Sequence, residues 1–116
     1  MNHLHLPNYR SDHSNVIQKD LFRITESSGL FTATIVARDT NGVSAVWEFK
    51  QFVKHTTGGG IVFLGSQDSY VAKDAGASSW DADITSIGDR VIVEVQGNIA
   101  NTIDWKFDVI LFKSGD

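Results

Sequence analysis

From Val16 onward, apolar and polar residues alternate with a period of two. "LFTATIVARD" puts Phe31, Ala33, Ile35 and Ala37 on one face, and Thr32, Thr34 and Arg38 on the other. "VSAVWEFKQFVK" sets Val43, Ala45, Trp47, Phe49 and Val53 against Ser44, Glu48, Lys50 and Lys54. "RVIVEVQG" alternates Val91, Val93 and Val95 with Ile92, Glu94 and Gln96. "TIDWKFDVILF" opposes Ile103, Trp105, Phe107, Val109 and Leu111 to Asp104, Lys106 and Asp108. Such alternation predicts antiparallel strands with one buried and one wet face. Val46, Phe52, Ile92, Ile110 and Phe112 fall on outer faces and predict a surface that something covers.

Turn residues separate these runs. "DTNGV" carries Asn41-Gly42, a strong hairpin signal, between two long alternating strands. "TTGGGI", "SIGDRV" with Gly88-Asp89, and "GNIANT" supply three further reversals. No segment combines a helical period with cap and stop signals. About seven to eight strands with regular turns predict an all-β fold, an antiparallel, jelly-roll-like β-sandwich.

Residues 1–14 are polar, hold the sole proline and contain three of the four histidines, so they read as an arm preceding a sandwich domain over 15–116. His3 and His5 are at strand spacing, with His13 farther on, which raises metal binding. No neighbouring residue supplies a carboxylate support, so the arm reads as polar with incidental histidines, and no metal is expected.

A chain of 116 residues fits one domain. The absence of cysteine excludes disulfides and thiolate chemistry. A net charge of -4 with scattered Lys and Arg argues against a nucleic-acid partner. The first residues lack the apolar core of a signal peptide, and no run is long enough for a membrane helix, so no membrane insertion is expected.

Catalytic patterns are sparse. There is no G-x-S-x-G, and "TTGGGI" lacks the following Lys-Ser/Thr of a phosphate loop. Asp81, Asp83, Glu94 and Asp104 could supply the carboxylate pair of a glycosidase. In "DAGASSWDADI", however, Asp81 and Asp83 share a strand face opposite Trp80, Ala82 and Ile84. That parity puts the acids in water and the tryptophan inside. The spacing also departs from a calcium-binding loop. Neither catalytic residues nor a cofactor are expected, and the chain reads as a non-enzyme. If it binds glycan, loops 39–43, 55–60, 66–79 and 97–102 are the candidates, with Asn41, His55, Tyr70, Asn98 and Asn101 as contacts. Tyr70 fits a sugar-stacking role if exposed, and a core role if its hydroxyl is satisfied.

"VARDTNGVSAVWEFKQFVKHTTGGGIVFLGS", "DAGASSWD", "VIVEVQG" and "NTIDWKFDVIL" together resemble the small β-sandwich domains of tailed-bacteriophage tail-fibre and other virion proteins. The match spans roughly residues 30 to 113. Asp104 stands where that pattern is commonly basic, and Lys106 where it is apolar or small. The resemblance implies a non-enzymatic virion component, made in the host cytoplasm and placed on the tail or a surface appendage. It implies a homotrimer, joined to other virion proteins through the N-terminal arm, serving assembly and attachment to host-surface glycan. A carbohydrate-binding module or a small glycan depolymerase is the alternative.

Overall fold

The computed structural model describes residues 2–115 and contains nine strands among them. These are β1 (Asn2–His5), β2 (Tyr9–Ser11), β3 (Val16–Arg23), β4 (Ser27–Asp39), β5 (Ser44–Thr56), β6 (Gly60–Lys73), β7 (Asp81–Ile87), β8 (Arg90–Gln96) and β9 (Ile103–Gly115). A 3-10 turn at Ala75–Ala77 lies between β6 and β7. The strands form two antiparallel sheets. The wide one runs β1-β9-β4-β5-β6, with β2 also on β9; the narrow one runs β3-β8-β7. None of the described helical segments is long and apolar enough to cross a membrane.

The alternating residues of β4, β5 and β9 face the narrow sheet. Phe31, Ala33, Ile35, Ala37, Trp47, Val53, Ile103, Trp105 and Val109 are buried there, against Val91, Val93, Val95 and Ala82. β3 enters through an irregular register between Asp20 and Phe22, which turns both Leu21 and Phe22 inward. Three hairpins, β4–β5, β5–β6 and β7–β8, form at the expected turns. At β4–β5, Gly42 takes φ +86°, a left-handed conformation open to glycine, and its N–H donates to the Asp39 carbonyl at 3.1 Å.

Three differences from the sequence pattern have physical causes. β6 continues through residues 66–73, which were expected to be loop. A register shift opposite Lys50 and Phe52 lets β6 run on, with Gly65 at φ +72°. Gln51 is buried there, and its amide donates to the carbonyls of Leu64 and Gly65 at 3.3 and 3.2 Å. Beyond the bulge β6 is exposed on both faces, so it carries no alternation. Ile92, expected on an outer face, is buried. The arm also joins the wide sheet: β1 pairs with residues 108–111 of β9, and β2 with residues 103–105.

Trp80 lies just before β7 and is fully buried, 6.4 Å ring to ring from Trp105. Asp81 and Asp83 point outward and Ala82 inward, as the parity required. Trp80→Ala should cost about 3–5 kcal/mol, as a large-to-small core change does. Asp81→Asn should stay within about 0.5 kcal/mol. The Trp80 indole Nε1 is buried without a hydrogen-bond partner, so Trp80→Phe should lose markedly less than Trp80→Ala. Urea denaturation of the three variants measures the ranking.

Candidate functional site

Three of the five sequence-predicted contacts gather at one end of the sandwich. Asp39 organises it: Oδ1 accepts from the backbone N–H groups of Asn41 and Val43 at 2.8 and 2.9 Å. Its Oδ2 accepts from the Asn101 side-chain amide, joining loop 39–43 to loop 97–102. Asn98 donates to Ser79 Oγ at 3.1 Å, and Ser44 N–H to Asp74 Oδ2 at 2.9 Å, so the segment after β6 is tied in as well. Ile99, 83% exposed, projects from this end. Burial works to raise the Asp39 pKa, but hydrogen bonds from Asn101, Asn41, Val43 and Gly42 outweigh it and hold it below the usual carboxylate value.

The other two contacts lie elsewhere. His55 is near the opposite end of β5, where its Nδ1 accepts the backbone N–H of Glu26 at 3.2 Å. Glu26 sits at φ 49°, so His55 secures a left-handed backbone position. Tyr70 lies in strand β6, not in a loop, opposite Glu48 and 62% exposed. That exposure gives it a free aromatic face.

Shallow hollows meet on the outer face of the wide sheet around Val36. One of about 350 Å³ is lined by Val36, Arg38, Asp39, Asp104 and Lys106. A second, of about 270 Å³, is lined by residues including His5, Thr34, Val36, Lys106 and Asp108. These are near the lower end of the volumes that hold small ligands. Their polar walls come from strands rather than loops, which sequence reasoning passed over. The parity of Arg38, Asp104 and Lys106 was legible, but their convergence depends on the β4–β9 register.

Of the candidate catalytic acids, Asp81, Asp83 and Glu94 line a hollow of about 110 Å³ on the narrow sheet. That is well below the roughly 300 Å³ at which ligand pockets begin. Asp83 is pushed above the usual carboxylate value by burial, then by Asp81 and Glu94. Asp104 belongs to the other sheet and is paired with Arg10, Nε to Oδ1 at 2.8 Å. The Arg10 hydrogen bond holds the Asp104 carboxyl below the usual range. The four acids therefore do not form one constellation.

On the arm, β1 brings its two histidines to one carboxylate. His3 Nε2 lies 2.7 Å from Asp108 Oδ2, and His5 Nδ1 lies 2.9 Å from Oδ1. Asp108 was invisible as their partner because 103 residues separate it from His5 in the chain. Only the β1–β9 register, with His5 opposite Asp108, brings them together.

Two pH-linked outcomes follow. Ionised Asp39 is favoured by folding, so its contribution holds above the ordinary aspartate value and is lost as pH falls through its own lower value. Asp39→Ala should lower the thermal midpoint at pH 7, and the gap to the unmodified chain should shrink in acid. Ionised Asp83 is disfavoured by folding, so Asp83→Asn should raise the midpoint at pH 7. That gain should vanish below the ordinary aspartate value of about 3.9. Thermal melts across pH check both signs.

No protein-family model matches the chain, and no curated protein matches it. Among solved structures it is similar to the tailspike protein of Acinetobacter phage vB_ApiP_P1, with a TM-score of 0.50 and 14% identity. That likeness covers 98% of this chain and 22% of the tailspike. It is also similar to the tailspike of Acinetobacter baumannii phage AM24, with a TM-score of 0.42, 9% identity, and coverage of 93% and 27% respectively. The chain thus spans about a fifth to a quarter of these longer proteins, and at TM-score 0.50 the first shares its sandwich fold.

Proposed function

We propose that the chain is a non-enzymatic β-sandwich module of a phage tail appendage, self-associating as a trimer and contributing to host-surface attachment. The observation that carries this is the fold, shared along 98% of the chain with a segment of a phage tailspike. The resemblance of residues 30 to 113 to tail-fibre sandwich domains points the same way. On the virion tail, the N-terminal arm would join the module to other virion proteins.

Self-association has a physical basis on the outer face of the wide sheet. The register sets Leu64, Phe52, Leu30 and Phe112 side by side across β6, β5, β4 and β9. Phe112 is 64% exposed and Phe52 42%, and Ile110 extends the row. A contiguous apolar band of this kind marks an interaction surface more strongly than scattered residues do. Closed cyclic symmetry would bury it between identical chains. Glycan contact is assigned first to the polar ground around Val36, Arg38 and Lys106, and second to the loop end at Asn41, where Asn98 and Asn101 already donate within the loops. Tyr70 offers a stacking face on the same sheet.

A non-catalytic role also suits the carboxylates. Asp83 lines a hollow of about 110 Å³, well below the roughly 300 Å³ of ordinary ligand pockets, and Asp104 is committed to Arg10.

Size-exclusion chromatography with light scattering should show a trimer, and Phe52→Glu with Phe112→Glu should convert it to a folded monomer. A monomer at high concentration before mutation would overturn self-association. Co-sedimentation with host cells should be saturable and fall when surface polysaccharide is stripped. Arg38→Ala and Lys106→Ala should weaken it. Release of reducing ends from that polysaccharide, abolished by Asp83→Asn, would establish the depolymerase instead.

A further inference from the structure

We propose that His3, His5 and Asp108 form a three-ligand site for a borderline divalent transition metal, with Zn²⁺ as the type ion, that fastens edge strand β1 to β9. Among the described residues they are the one group of three or more potential ligands whose donor atoms converge, all within 4.8 Å of one another. The geometry arises from strand parity. His3 and His5 alternate along β1 and so project from one face. Asp108 lies directly across from His5 and diagonally from His3, at the spacing where cross-strand side chains meet.

The donor set selects the ion. Two imidazoles and one carboxylate suit zinc and its neighbours, whereas calcium and magnesium favour oxygen donors throughout. The distances are close to what binding needs. Zn–N and Zn–O bonds of roughly 2.0–2.1 Å in a tetrahedron separate neighbouring ligand atoms by about 3.3 Å. The nitrogens now stand 2.7 and 2.9 Å from the Asp108 oxygens. Opening each nitrogen–oxygen contact by about half an ångström, with the donors drawn together from within 4.8 Å, would admit the ion. His3 and His5 are exposed and free to make these shifts, while β9 holds Asp108 in the sheet.

Metal-free, Asp108 can hold the histidines only by hydrogen bonds to imidazole N–H groups. The ion takes the place of those protons and adds a cross-link between the edge strand and the sheet. Remaining coordination positions are left for water or an outside donor, beside the hollow that His5, Thr34 and Lys106 help to line. The site is independent of the tail-appendage role, since it concerns only how the arm is held.

Calorimetric titration of the chain, prepared without a polyhistidine tag, tests it with Zn²⁺ alone and with Ca²⁺ and Mg²⁺ as controls. The expected result is saturable 1:1 Zn²⁺ binding with no heat from Ca²⁺ or Mg²⁺. His3→Ala, His5→Ala and Asp108→Asn should each weaken it at least as much as the ~10–100-fold that loss of an outer-sphere partner costs. His13→Ala is the control, because His13 bonds Tyr9 at 3.0 Å instead, and it should bind as the unmodified chain does. Hydrogen exchange should slow at the β1 amides when Zn²⁺ is added. Absence of saturable binding, or binding that survives His3→Ala and His5→Ala together, would reduce the cluster to hydrogen bonds and overturn the proposal.

Discussion

The two sheets meet through three tryptophans, and the arrangement of the molecule depends on that contact. Trp105 of β9 stacks on Trp47 of β5, ring centres 5.6 Å apart and 26° between planes. Trp80 approaches Trp105 from the narrow-sheet side. Aromatic pairs in such offset and tilted arrangements add to the free energy of burial alone. Trp105 also donates from Nε1 to the buried Ser11 Oγ at 2.9 Å, so the same ring seats β2 and the arm. Lys73 completes the junction, its Nζ donating to the Trp80 carbonyl and lying 5.5 Å from the Trp47 ring centre. The segment from Asp74 to Trp80 is thereby anchored through Ala77 and Trp80, its two buried residues, while Asp74 accepts from the Ser44 N–H.

What the sequence makes legible follows from which strands have two unlike faces. β4, β5 and β9 each bury one face against the narrow sheet, so their apolar residues recur every second position and can be read by eye. The second half of β6 has no such contrast. Ser66 to Lys73 are exposed on both sides, and their polar character resembles that of a loop. Ile92 fails for the opposite reason: both it and its neighbours Val91 and Val93 are buried, so alternation alone assigned it wrongly to water. Gln51 is a polar residue inside because the β6 bulge leaves two carbonyls for it to satisfy. In each case a tertiary partner decides what a local period cannot.

The chemistry on the sheet surfaces was still less legible, since it is made by pairs far apart in the chain. Arg10 meets Asp104 across 94 residues, and His3 meets Asp108 across 105. The residue types were plain in the sequence, but a carboxylate's role depends on its surroundings. Asp39 is surrounded by donors and is favoured as an anion. Asp83 is partly desolvated and lies beside two other acids, and is not. Asp81 and Asp83 looked alike with Asp104 as possible catalytic acids until the topology divided them between two sheets.

The same surroundings bear on where a ligand would bind. At the loop end, the amides of Asn98 and Asn101 are already donors to Ser79 and Asp39. A sugar taking those hydrogen bonds would have to break contacts that secure the loops, and the net gain would be small. Asn41 and Ile99 are exposed there, but they supply one polar side chain and one apolar tip. The face around Val36 differs. Its charged groups, Arg38 and Lys106, extend from paired strands whose backbone hydrogen bonds a ligand leaves intact. Recognition on such a rigid sheet requires less ordering than recognition by loops. Under the proposed role, the wide sheet's outer face is therefore the better ground for both partners: its apolar band would take another copy of the chain, and its polar end a ligand.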